Sequence, residues 1–344
     1  MTPHSSDVSR RDFLKAGATR LLGLTLTGTA VLTAIARPPV ASSSASPGNS
    51  LTDAGLLKKL PPLSFSTLGC PDWTFPAIMD FAVKNGYTGI EVRGIQRQMD
   101  LTKCPEFSTP ANITTTLQQM KDHGLKFVDL GSSAELHHAD PATRQKQMDE
   151  AHRFIDLAQQ LHCPYVRVFP NKLPKDQDKQ ATIDLITKGL KELGEYARSS
   201  GVTVLMETHG DLVETALLEQ IMRDAGGRNT GLIWDIYNMW SITHEPPAQV
   251  YPRLKKYIRH THIKDGKSTG GHEENGKIVD GKVEYLFLGQ GESPIFEAIG
   301  LLNQGGYKGY YSFEWEKLWH PEIAAPELAL ADYPKKMKDF FEKL

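Results

Sequence analysis

The stretch Val204-Leu205-Met206-Glu207-Thr208-His209-Gly210 sets a carboxylate and an imidazole directly behind an apolar run. A buried carboxylate is costly unless it is paired or holds a cation, so Glu207 demands a partner. Three further β-like runs supply candidates: Gly231–Asp235 ends in Asp235, Arg259–Ile263 carries His262, and Tyr310–Glu314 ends in Glu314. Two glutamates, an aspartate and a histidine make a mixed oxygen and nitrogen donor set that suits one divalent ion, Mn²⁺, Mg²⁺, Co²⁺ or Zn²⁺, with positions left for substrate oxygens. Each residue alone has a plainer role, because an acidic strand end often caps the next helix and a buried histidine is usually hydrogen-bonded structure. The weight lies on the four together. His260 competes with His262, since alternation puts both on one face at different depths; His262, nearer the C-terminal end of its run, is preferred.

Something must bring these strand ends together. From residue 62 onward short apolar runs alternate with amphipathic helical stretches, which predicts parallel strands with helical crossovers. The strands read as Leu63–Leu68, Gly89–Val92, Lys126–Leu130, Tyr165–Phe169, Thr203–Glu207, Gly231–Asp235, Arg259–Ile263 and Tyr310–Glu314. Helical patterns cover Phe75–Asn85, Ile113–His123, Pro141–Leu161, Ala181–Ser199, Leu212–Ala225, Ala248–Tyr257, Ser293–Asn303 and Leu328–Leu344. Gly86, Gly124, Gly201 and Gly305 each stand between a helix and a strand, where a glycine C-cap belongs. This repeat is that of an α/β protein with a (β/α)8 TIM barrel, and no GxGxxG follows the first strand to support a dinucleotide fold. The active site of such a barrel lies at the C-terminal strand ends, where Glu207, Asp235, His262 and Glu314 fall. Gly266–Glu292 breaks the repeat and predicts a hairpin over the barrel mouth.

The chain has 344 residues, 40% hydrophobic and 23% charged, with a net charge of -2. That balance carries no basic excess of the kind that tracks phosphates, which argues against a nucleic-acid partner. Cys70, Cys104 and Cys163 are odd in number and widely spaced, so they encode neither a disulfide framework nor a thiolate zinc site. Arg10-Arg11, followed by Phe13-Leu14-Lys15 and a soft apolar run from Leu21 to Ala36, resembles a twin-arginine export signal. That run is short and glycine-rich for a permanent membrane span. The sequence therefore predicts an exported, periplasmic protein: residues 1–50 form a leader and Pro/Ser/Ala-rich linker, and residues 60–344 the barrel.

The segments GIEVRG, VLMETHG, GLIWDIYN, HTHIKDGK and GQGESPIFEAIGLLNQGGYKGYYSFEWE, in that order, resemble the xylose isomerase-like TIM-barrel superfamily of sugar isomerases and epimerases. The resemblance places the family's metal ligands on Glu207, Asp235, His262 and Glu314. It also implies that Glu207 and Glu314 act as acid and base on opposite faces of a sugar. Where many members carry DxxH, this chain has Asp235-Ile236-Tyr237-Asn238, so the proton-handling role of that histidine is missing at Asn238.

Such a site permits proton abstraction alpha to a carbonyl. Returning the proton to the other face is epimerisation, to the neighbouring carbon isomerisation; expelling a beta substituent is elimination. Substrate-binding candidates are His209, Asn238, Lys264, Arg167 and Trp315, with Trp73, Trp240 and Trp319 also near the mouth. Arg93 and Arg167 could instead pair with Glu91 inside the barrel. His137 and His138 could face the cavity, although neighbours on a strand point oppositely. Export and the lack of a phosphate loop favour a non-phosphorylated sugar or keto-sugar as the small-molecule partner, in a chain compatible with a homo-oligomer. The alternative is a 3-keto-glycoside lyase or hydratase using the same site. A phosphodiesterase like the apurinic-site endonucleases would need more histidines on early strands and a basic face. A non-catalytic sugar-binding protein would need fewer buried charges.

Overall fold

The computed structural model describes residues 60–274, 277–279 and 281–344. The leader and linker expected over residues 1–50 lie outside the described residues. In chain order the strands are β1 (Leu63–Ser66), β2 (Gly89–Val92), β3 (Lys126–Glu135), β4 (Tyr165–Phe169), β5 (Thr203–Glu207), β6 (Thr230–Asp235), β7 (Ile258–Ile263), β8 (Asp265–Thr269), β9 (His272–Glu274), β10 (Lys277–Val279), β11 (Lys282–Leu286) and β12 (Tyr311–Phe313). The α-helices are α1 (Phe75–Lys84), α2 (Pro110–Asp122), α3 (Pro141–Gln160), α4 (Lys179–Tyr196), α5 (Thr215–Ala225), α6 (Ile236–Thr243), α7 (Pro247–Leu254), α8 (Ile295–Gln304) and α9 (Pro326–Lys343).

The strands β1-β12-β7-β6-β5-β4-β3-β2 close into a barrel, and each neighbouring pair is parallel. This is the expected (β/α)8 barrel. Outward apolar side chains pack under the helices: Phe313 stacks on Tyr333 of α9 at 4.6 Å, and Trp234 on Tyr251 of α7 at 6.0 Å. Helix starts are set by side-chain caps, with Asp140 accepting from Thr143 N at 2.8 Å and Asp178 from Ala181 N at 2.7 Å. Gly86, Gly124 and Gly201 take the left-handed conformation as expected; after α8 it is Gly306, beyond the capping Gly305, that does so.

Four details depart from the sequence reading. β1 stops at Ser66, short of the expected Leu68, because a 3-10 turn over Thr67–Gly69 begins there, with Ser66 accepting from Leu68 N. β3 runs on to Glu135, its tip pairing with Phe169 of β4. A short helix, α6, follows β6 without a loop because Asp235 caps it. β12 ends at Phe313, so Glu314 sits one residue beyond the ladder. The expected hairpin exists: β8 pairs antiparallel with β11, and β9 with β10 beyond them.

Candidate active site

A side-chain period of two stacks the inward-facing residues in tiers. His260, His262 and Lys264 share one side of β7 and its continuation, and Ser312, Glu314 and Glu316 one side of β12 and its continuation. In the deepest tier Glu91 of β2 meets His260, whose Nε2 lies 2.9 Å from Glu91 Oε2, and Ser312 donates to the same oxygen at 2.9 Å. Arg93 does not pair with Glu91; it donates to Gly131 O and Ser133 Oγ at 3.2 and 2.8 Å.

The middle tier holds the predicted ligand set. His262 Nδ1 lies 3.3 Å from Glu314 Oε2, 3.4 Å from Glu207 Oε1 and 3.9 Å from Asp235 Oδ2. One ligand atom from each of the four residues falls within 4.8 Å of the others, and all four residues are buried. Donors held about 2.1 Å from one metal stand about 3–4 Å apart, so the spacing is that of a coordination shell. His262 Nδ1 and Asp235 Oδ2 are buried without a hydrogen-bond partner, as donors waiting for a cation would be. Asp235 caps α6, its Oδ1 accepting from Asn238 N at 2.8 Å, and its Oδ2 is left facing the site, where the ligand role weighed for it would lie. The residues thus fit a divalent ion.

The charges around the set are paired. Arg167 Nη1 donates to Glu207 Oε2 at 3.0 Å and lies 3.7 Å from Glu314 Oε1. Lys264 Nζ stands 2.7 Å from each of Asp235 Oδ2, Glu314 Oε2 and Glu316 Oε1, although its approach to Asp235 lacks hydrogen-bond geometry. Burial opposes ionisation of Glu207, yet His262 and Arg167 outweigh it and hold the carboxyl near 2. For Glu314 the same burial is overcome by His262, Lys264 and Arg167, leaving it well below the ordinary range. Burial prevails at Asp235, pushed up to about 7, and at Glu316, which is raised despite Lys264. His262 is raised well above the usual imidazole value because Glu314, Glu91 and Glu207 outweigh its burial.

Above these tiers opens a cleft of about 300 Å³, lined by Arg93, Glu135, Arg167, Phe169, Asn171, Glu207, His209, Asn238, Lys264, Tyr285, Glu314, Glu316 and Trp319. A larger hollow of about 720 Å³ among Leu117, Met120, Phe127, Leu161 and Tyr310 is mostly apolar. It lies at the N-terminal strand ends, away from the carboxylates, so the smaller polar cleft, at the end where barrels of this type carry their sites, is the candidate functional one. Arg167, His209, Asn238 and Lys264 line it as expected. Trp315 does not: following inward-facing Glu314, it points outward, stacks near Phe313 at 5.8 Å and donates from Nε1 to Ala324 O at 3.0 Å. Trp319, 57% exposed, supplies the aromatic wall instead. Trp73 packs on Phe81 and Trp240 on His244, neither in the cleft.

Sequence reasoning missed Glu91 as the partner of His262, and missed Glu316, Tyr285, Asn171 and Glu135 as cleft residues. For Glu316 a signal existed, since extending the period from Ser312 through Glu314 reaches it. The others depend on contacts distant in sequence.

The fold is a closed (β/α)8 barrel with a candidate metal-binding cluster at its strand ends, and over residues 79–337 the sequence matches the family described as the xylose isomerase-like TIM barrel. The chain belongs to that family. No curated protein matches the sequence. Among solved structures, the IOLI protein with a bound zinc atom aligns at 18% identity and a TM-score of 0.65, covering 82% of this chain and 98% of its own. L-ribulose 3-epimerase aligns at 16% identity and 0.63, covering 82% and 95%. A probable 3-DHS dehydratase, AsbF, from Bacillus anthracis aligns at 17% identity and 0.63, covering 80% and 97%. At such identities the likeness establishes the fold.

Proposed function

We propose that this protein is a divalent-metal-dependent isomerase or epimerase of a non-phosphorylated sugar or keto-sugar, acting by proton abstraction alpha to a carbonyl. The observation that carries it is the convergence of Glu207 and Glu314 on His262 Nδ1, at 3.4 and 3.3 Å, inside a polar cleft. A dication held by Glu207, Asp235, His262 and Glu314 would polarise substrate carbonyl and hydroxyl oxygens and stabilise negative charge beside them. Both glutamates are held ionised by their cationic neighbours, the protonation state a base needs before it can take a carbon-bound proton. They come from β5 and from the end of β12, two separate strands of the barrel. That separation suits removal at one face and return at the other. Arg167 keeps Glu207 oriented, while His209 and Asn238 offer polar contacts to hydroxyl groups. The fold of an epimerase supports the reading.

A lyase or hydratase acting on a keto-glycoside is the second reading. It is favoured by Glu316, whose carboxyl is raised by burial and sits on Lys264 at 2.7 Å, where a protonated acid could serve a leaving group. We further propose export through Arg10-Arg11, with residues 1–50 as leader and linker and 60–344 as the catalytic barrel. Replacing both arginines by lysine should then retain the protein inside the cell.

The deciding experiment follows deuterium from D2O into unphosphorylated ketoses and 3-keto-glycosides with metal-loaded protein, beside Glu314→Gln. Exchange into recovered or epimeric sugar, absent in the variant, supports isomerase chemistry. Loss of aglycone or water selects the lyase. Absence of both across the panel overturns the catalytic reading and leaves a sugar binder.

A further inference from the structure

The extension of β3 past the barrel rim carries a second group of donors. Glu135 is fixed by its pairing with Phe169, and Leu136 N donates to Phe169 O at 2.9 Å. Beyond the strand the chain bends, so His137 and His138 do not point oppositely; their rings lie side by side at 4.0 Å and 35°. His138 Nε2 lies 2.8 Å from Glu135 Oε2, and His137 Nδ1 lies 3.9 Å from the same oxygen. The three donor atoms fall within 4.8 Å of one another.

A hydrogen bond between Glu135 and His138 accounts for those two residues. It does not account for His137, which is 7% exposed and whose buried Nδ1 has no hydrogen-bond partner. A buried, unpartnered ring nitrogen facing a carboxylate already in contact with a second imidazole is an arrangement of donors that suits a cation.

We propose that Glu135, His137 and His138 form a second binding site, at the cleft mouth, for a transition-metal dication of the zinc or cobalt kind. Two imidazoles and one carboxylate favour such ions over magnesium, which prefers oxygen donors alone. The glutamate and His138 side chains are 30% and 26% exposed, so water or a ligand oxygen can fill the open positions. Glu135 lines the same cleft as Glu207 and Glu314. Its other oxygen accepts from Asn171 Nδ2, and Asn171 Oδ1 lies 2.8 Å from His209 Nδ1. An ion here would fix the orientation of His209 in the cleft as well as filling its own site.

The inference is independent of the reaction proposed above, and its test needs no turnover. Metal-free protein is titrated with Zn²⁺ and with Co²⁺, and bound metal is counted by calorimetry and elemental analysis. Two ions per chain are expected. Asp235→Asn should lose the barrel ion and keep the mouth ion; His138→Ala and Glu135→Gln should each do the reverse. Cobalt absorption bands remaining in Asp235→Asn should vanish when His138→Ala is added. One ion in the wild type that Asp235→Asn abolishes would overturn the proposal, as would two ions persisting in both mouth variants. Should a mouth variant fail to fold, the cobalt spectrum of a protein carrying both Asp235→Asn and His262→Ala decides: bands of an imidazole-ligated ion uphold the site, and their absence rejects it.

Discussion

Glu91 Oε2 lies 3.2 Å from Nε2 of His262, on the ring nitrogen opposite the one facing Glu207, Asp235 and Glu314. The carboxylate therefore fixes the ring so that Nδ1 is presented to the site. Outer partners of this kind typically change metal affinity by about 10–100-fold. Glu91→Gln should weaken divalent-ion binding by about that factor in competition with a chelator. Unchanged affinity would mean the barrel wall alone orients His262.

Glu207 and Glu314 should each be indispensable for proton exchange. Glu207→Gln and Glu314→Gln keep the shape and remove the base, and should lower deuterium incorporation by about 10²–10⁴-fold. Full activity in either would remove that residue from the reaction.

Lys264 uses carboxylate oxygens of Asp235 and Glu314 that a dication would also use, each at 2.7 Å from its ammonium. Like charges at a few ångströms repel by an amount on the order of 1–4 kcal/mol. Lys264→Met should bind Mn²⁺ or Zn²⁺ about tenfold more tightly and turn over more slowly. Weaker binding would show instead that the lysine organises the carboxylates.

Metal affinity should fall with acidity. In the metal-free protein, burial raises Asp235 to about 7 and the surrounding carboxylates raise His262 further. Both bind protons more tightly than usual, and both must release them to coordinate. Affinity should rise as pH climbs through about 7, with proton release visible in calorimetry across buffers of different ionisation enthalpy. A flat profile would contradict coordination by these groups.

The two neighbouring tryptophans should separate stability from binding. Trp315 is buried and anchored to Ala324 O, so Trp315→Ala should cost about 3–5 kcal/mol in denaturant unfolding. Trp319 is 57% exposed on the cleft rim. Trp319→Ala should alter stability by only about 0.5 kcal/mol while raising KM. A reversal of these effects would move the aromatic wall back to Trp315.

The barrel and the meeting of four candidate ligands at its mouth were legible because both rest on local rules. Strand ends follow from the switch between period two and helical periodicity, and Glu207, Asp235, His262 and Glu314 are read from those ends. What escaped notice depends on distance in the chain or on the face a residue presents. Glu91 and His262 stand 171 positions apart, so nothing local pairs them. Trp315 was misjudged by adjacency to a ligand, when adjacency on a strand means the opposite face. The turn of His137 and His138 to the same side came from a bend that strand logic does not foresee.

Asp265 follows Lys264 directly and closes the base of the hairpin insertion. Its carboxylate accepts from Gly266 N at 2.9 Å, Gly289 N at 2.8 Å, Gly291 N at 3.0 Å and Ser293 Oγ at 2.9 Å, reaching both ends of the excursion. The two ends of the insertion are thus clasped by one carboxylate, while Tyr285 of β11 reaches back to ring contacts with Tyr237 and His320 and into the cleft. Because the clasp holds the ends, changes in the stretch between them would alter the wall that Tyr285 gives the cleft while Lys264 and the strand-end carboxylates keep their places.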